Sequence, residues 1–153
     1  MGLCTSKQTI PNIIDPNSIK LFIPPITQGR VIKCYDGDTI TIAAYLPYKG
    51  SELYKFSVRI RGIDCPEIKS KCDTEKESAI IAKKYVEDKI LYNIVRLENV
   101  SLEKYGRILA DVYIDNLSIG DYLIEHHLAV RYDGGRKKTP DNWVEYYKNA
   151  RLT

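Results

Sequence analysis

From Gly29 onward the chain keeps returning to short runs of β-branched and aromatic residues, each stopped by a turn signal, with one long helical pattern after the third run. The runs at 30–33, 39–44, 54–60, 93–100 and 108–114 carry the Val, Ile, Thr and Tyr that suit a pleated, half-buried surface. Asp36-Gly37 and Asp115-Asn116 are tight-turn pairs, 47–51 is a loop, and 101–106 is a polar connection. Over 74–89, Ala79, Ala82, Val86 and Ile90 recur at three-to-four spacing and predict an amphipathic helix. Thr74 and Glu77 stand at capping-box spacing at its start. Ser118 opens a second, short helix through His126, followed by an extended 129–132. Thr139 as N-cap with Pro140 at the first helical position opens a third helix bearing Trp143 and Tyr147. Five strands with a helix after the third is the arrangement of an OB-fold, a five-stranded β-barrel of the α+β class with about three helices. At 153 residues and 44% apolar content, the chain suffices for one domain with a real core.

Residues 1–28 read differently and divide from a folded unit at 29–153. Pro11, Pro16, Pro24 and Pro25 interrupt any helix or central strand, which makes this stretch an extended arm. It begins Met1-Gly2-Leu3-Cys4-Thr5-Ser6, the myristoylation pattern, with Gly2 as the acceptor. Cys4 is placed to take palmitate, the second lipid signal that stable membrane binding needs. The expected location is therefore intracellular, at the cytoplasmic face of a membrane where the arm is acylated; the alternative is an ordinary N-terminus that happens to begin Met-Gly. No apolar signal-peptide core and no run of about 18 apolar residues is present, so neither secretion nor a membrane span is expected. The four cysteines form no CxxC pair and lack histidines at zinc spacing, so they read as thiols of a reducing compartment. His126 and His127 diverge as helix neighbours and do not share a metal.

Three short segments carry the chemistry: Asp36-Gly37-Asp38-Thr39, then Arg59 ahead of Asp64-Cys65-Pro66-Glu67, and finally Lys104-Tyr105-Gly106-Arg107. The carboxylates lie in turns that end strands and present side chains to solvent or a cleft. Hard oxygen ligands beside guanidinium forks suit a phosphodiester: a divalent cation binds carboxylate and phosphate together, and arginine neutralises charge on the phosphoryl oxygens. A sparse all-oxygen set favours Ca²⁺ over zinc. Twelve tyrosines and a net charge of +3 are compatible with nucleic acid without demanding it.

In order and spacing these segments resemble the staphylococcal (thermonuclease) nuclease family, over roughly Gly29 to Trp143. The resemblance implies a Ca²⁺-dependent hydrolase that cuts DNA and RNA at the 5′ P–O bond and leaves 3′-phosphate ends. It places Asp38 and Asp64 as metal carboxylates and the backbone carbonyl of Cys65 as a third ligand. Glu67 becomes the general base, Arg59 and Arg107 bind phosphate, and Lys104, Tyr105 and Tyr132 contact the nucleotide. Cys65 stands where the best-known member has threonine, and the C-terminal helix is shorter. The alternative is a catalytically inactive nucleic-acid- or protein-binding OB module, though such modules tend to lose carboxylates or arginines that are all present here. A weaker third reading is a calcium-sensitive membrane adaptor. No obligate protein partner is evident.

Overall fold

The computed structural model describes residues 7–152; Gly2 and Cys4, the two expected acylation positions, lie outside the described residues. In chain order the elements are β1 (Gln28–Asp36), β2 (Thr39–Tyr45), β3 (Leu53–Ile60), β4 (Ile63–Asp64), α1 (Asp73–Ile90), β5 (Ile94–Leu102), β6 (Ile108–Ile114), β7 (Leu117–Ser118), α2 (Ile119–Glu125), β8 (Val130–Arg131) and α3 (Trp143–Asn149). Ahead of β1, residues 7–27 hold one 3-10 turn at Pro16–Ser18, and Ile26 is the first described residue to enter the core. No helix among the described residues is long and apolar enough to cross a membrane.

Five strands close on themselves. β1 pairs antiparallel with β2 and β5, β2 with β3, and β5 with β6. A parallel pairing of β3 with β6 completes the ring, with Val58 opposite Ile108, Arg59 opposite Leu109 and Ile60 opposite Ala110. Closure removes the open sheet edges that would otherwise invite pairing with other chains. Inward positions alternate along β2 as Ile40, Ile42 and Ala44, and along β6 as Ile108, Ala110 and Val112. β1 breaks the alternation: its register shifts between Val31 and Lys33, and the buried positions step from Val31 to Cys34. Such a bulge bends and twists a strand enough to wrap a small barrel. Each fully buried aliphatic side chain contributes about 1.5–3 kcal/mol, so Ile40, Ile42, Ile60, Val95 and Ile90 dominate the core. Outside the barrel, α1 lays Ala82, Val86 and Ile90 against β1, and α3 docks on α1 through Trp143 and Tyr147.

Two helix starts differ from the sequence expectation. α1 begins at Asp73 behind Cys72, which makes no side-chain cap bond, and Thr74 already lies in the first turn. Its acidic first turn is used differently: Glu75 accepts the Glu67 N–H at 3.0 Å and the Ser70 hydroxyl at 2.5 Å. Thr74 and Glu77, the expected capping pair, thus both fall inside the helix, while Glu75 serves the preceding loop. α3 starts at Asn142 rather than Thr139. Asn142 Oδ1 accepts the N–H groups of Val144 and Glu145 at 3.0 and 3.2 Å, and the next residue, Trp143, is 4% exposed. Seating the indole decides where this helix can begin. β5 also runs two residues beyond its expected end, because a bulge through Asn99 (φ 51°) restores pairing of Ser101 with Leu109. Ser118 caps α2 by accepting the Asp121 N–H at 3.2 Å.

These placements make two expectations for chemical denaturation. Asn142→Ala lowers stability by about 1 kcal/mol, and Thr139→Ala stays within about 0.5 kcal/mol of wild type. Gly37 has no room for a side chain: an added Cβ meets Cys65 Sγ at 2.9 Å and Ala82 Cβ at 3.0 Å. Gly37→Ala is expected to destabilise by roughly 1–3 kcal/mol, the usual cost of overpacking.

Candidate active site

Asp36 closes β1 and Thr39 opens β2, which leaves Gly37 and Asp38 as the two residues of the connecting turn. Without a side chain, Gly37 lets this turn settle onto α1 and Cys65. Asp38 is then only 7% exposed, and three groups fix its carboxylate. Oδ1 accepts the Thr39 hydroxyl at 3.0 Å, Oδ2 accepts the Cys65 N–H at 3.0 Å, and Oδ2 lies 3.3 Å from Arg59. The Asp38 carbonyl also accepts the Ile60 N–H at 2.8 Å, tying the turn to the end of β3.

Arg59 stands immediately before that point and reaches across it. One terminal nitrogen donates to the carbonyls of Ile60 and Ile63, both at 2.9 Å. The other lies 3.3 Å from Asp38 Oδ2 and 3.3 Å from Asp64 Oδ1. Asp64, 3% exposed, is held in place because β4 pairs with β8, Ile63 facing Arg131 and Asp64 facing Val130. The same Asp64 oxygen has a second cationic neighbour, the ammonium of Lys137 at 3.0 Å, which also donates to Glu67 Oε1 at 3.0 Å.

Around these groups lies a cavity of about 520 Å³. Asp38, Arg59, Asp64, Glu67, Lys104 and Arg107 line it, and so do Tyr105 and Tyr132. The barrel therefore brings eight of the nine site residues read from the folded part of the sequence onto one wall. Cys65, the ninth, adjoins it through its N–H bond to Asp38. Arg107 Nε donates to Glu103, four residues back across the connection between β5 and β6. The Lys104 ammonium sits 4.8 Å from the centre of the Tyr105 ring, and Tyr105 is 74% exposed. A second cavity of about 970 Å³ adjoins the first, sharing Arg59, Glu103, Lys104 and Tyr132, with Arg61, Arg131, Arg136 and Lys138 on its wall. The two together form a predominantly cationic cleft beside an acidic floor.

Burial sets the electrostatics of that floor. It pushes the Asp64 carboxyl up from its ordinary value, although the Lys137 bond pulls the other way. Asp36 is raised too, first by burial and then by the nearby Asp38 and Glu67 charges, while the Ile68 N–H at 3.4 Å opposes the shift. Burial also drives the Cys65 thiol well above its ordinary value, so it stays protonated near neutral pH. Cys34, Cys65 and Cys72 are free thiols. The two histidines have separate partners: His126 Nδ1 lies 2.8 Å from the Tyr122 carbonyl, and His127 Nδ1 lies 2.8 Å from that of Tyr146.

Sequence reasoning did not single out Lys137, Glu103, Glu75 or Asp36 for the site. Lys137 was visible only as one cation of the basic loop after β8. Its pairing with carboxylates some 70 positions away follows from the β4–β8 contact, which no local pattern announces.

The chain matches the family described as staphylococcal nuclease homologue over residues 57–152. That stretch holds Arg59, Asp64, Glu67 and Arg107; Asp38 precedes it and joins them through the barrel. An uncharacterized endonuclease of Haemophilus influenzae is 34% identical over 103 residues, which cover 67% of this chain and 51% of that protein. A probable staphylococcal-like nuclease of Oryza sativa subsp. japonica is 31% identical over 117 residues, 76% of this chain and 26% of its own length. A probable endonuclease of Schizosaccharomyces pombe is 32% identical over 85 residues, 51% of this chain and 37% of its own. The chain thus spans between a quarter and about half the length of these curated relatives. On the extent of the family match, the chain belongs to the staphylococcal nuclease homologues.

Proposed function

We propose that this domain is a calcium-dependent nuclease hydrolysing the phosphodiester bonds of DNA and RNA. The observation that carries the reading is convergence. Oxygens of Asp38 and Asp64 lie 3.3 Å from one and the same guanidinium nitrogen, with Glu67 and Arg107 on the wall of the same cavity. Two nearly buried carboxylates held this close to each other can act together on one hard divalent ion.

The donor chemistry fits calcium. Asp38, Asp64 and the Cys65 carbonyl would hold it, and the protonated Cys65 thiol offers no soft ligand. Two carboxylates and one carbonyl are fewer ligands than calcium takes, so water and a substrate oxygen would complete the set. A calcium ion bound there supplies Lewis-acid polarisation of the phosphoryl group. Glu67 is solvent-accessible, and its backbone is pinned by the Glu75 bond, so its carboxylate can take the proton of an attacking water. The water oxygen bonds to phosphorus as the bond to the 5′ oxygen breaks, and that oxygen leaves with the electron pair and takes a proton from solvent. Glu103 holds Arg107 by Nε and leaves its two terminal nitrogens for the equatorial phosphate oxygens. Tyr105 and Tyr132 offer ring faces on which any base can stack, and the cationic second cavity extends the track for the backbone.

Plasmid incubated with calcium is expected to be nicked, and chelator is expected to stop it. Plasmid left intact yet retained by the protein would favour a binding module instead. Glu67→Gln should lower turnover by roughly two to four orders of magnitude while nucleotide binding stays near wild type, as loss of a positioned base does. Unchanged turnover in that variant removes Glu67 from the reaction. Arg107→Lys keeps the charge but not the fork and should cost about 3 kcal/mol of transition-state stabilisation in kcat/KM. A near-normal rate would make this arginine structural.

A further inference from the structure

Lys137 has no part in the chemistry just described, yet its ammonium occupies the centre of the acidic floor. It lies 3.0 Å from Asp64 Oδ1 and 3.0 Å from Glu67 Oε1. The first is a carboxylate assigned to the metal and the second is the assigned base. Arg59 also touches Asp64, but two carbonyl bonds on its other terminal nitrogen lock it to the barrel. Lys137 is different. It arrives on the segment between β8 and α3, where residues 133–139 carry no helix or strand, and both its bonds go to these two carboxylates.

We propose that Lys137 is a built-in competitor of the divalent cation, a displaceable ammonium that also covers Glu67 until the metal arrives. The proposal rests on the nuclease reading for the identity of the metal carboxylates. The physical argument is exclusion. Asp64 Oδ1 already carries Arg59 at 3.3 Å and Lys137 at 3.0 Å, so a divalent cation on this carboxylate crowds a third positive group against it, and of the two residents the ammonium is the one not locked to the barrel. When the metal takes Asp64, the ammonium leaves, and the same departure frees Glu67 to accept a proton. Metal occupancy and availability of the base are thereby linked through one side chain. An exposed loop suits such a role, because ion pairs of half-exposed lysines are weak enough to exchange.

The test measures metal binding without nucleic acid, by calcium calorimetry and by terbium luminescence sensitised by tyrosine. Lys137→Met is expected to bind calcium about three- to tenfold more tightly than wild type, the range that two such ion pairs correspond to. Lys138→Met removes the same charge next door and controls for through-space electrostatics; it should shift affinity clearly less. Lys137→Gln should behave as Lys137→Met does, with circular dichroism showing both variants folded. Unchanged or weaker binding by Lys137→Met, or a shift matched by Lys138→Met, overturns the competitor role while leaving the metal site standing. No calcium binding by the wild type overturns the inference and the calcium reading together.

Discussion

The Arg59 guanidinium is the tie on which this structure depends. Its two terminal nitrogens hold the β1–β2 turn through Asp38, the chain after β3 through the Ile60 and Ile63 carbonyls, and β4 through Asp64. Three segments, the turn, the end of β3 and β4, meet at one planar cationic group. Ionised carboxylates as buried as Asp38 and Asp64 would be costly if left alone. With the guanidinium between them they become tolerable, and they stay close enough to act on one ligand. Lysine, a single point charge, could not make four bonds in these fixed directions.

The arrangement also explains why the acidic floor is a source of strain rather than of stability. Burial raises both Asp36 and Asp64, so ionising either one works against its surroundings. For a carboxyl raised on folding, the folded state holds the proton more firmly. Folding stability is then lost as pH climbs from the ordinary carboxylate value through the raised one, and regained on acidification through that window. Elsewhere the fold compensates with a closed barrel and a helix packed along β1. Function sites often carry such local conflict, supported by a rigid surround.

Much of this was legible in the chain. Period-two alternation marked β2 and β6, and three-to-four spacing marked α1, because each depends on neighbours in sequence. The acidic turns and the two arginines are ordinary one by one; it was their order and spacing along the chain that singled them out. Helix starts were less legible. Glu75 was claimed by the loop at Glu67 and Ser70, and Trp143 set the start of α3, and both are tertiary effects that override local capping. The pairing of Lys137 with Asp64 and Glu67 was hidden for the same reason. It depends on β4 lying beside β8, a contact of two short strands with almost no pattern of their own.

The parallel contact of β3 with β6 has a consequence for when the cleft exists. Arg59 and Arg107 come together only after β6 has taken its place beside β3, with Leu109 opposite Arg59. That contact joins parts of the chain separated by about fifty residues and an entire helix, and long-range pairings of this kind form late in folding. A half-made chain holds the first acidic turn and Arg59 but no second wall, so it has nothing to grip a phosphate with. Closure of the barrel, and not the making of the acidic turns, decides when a phosphate can be gripped from both sides.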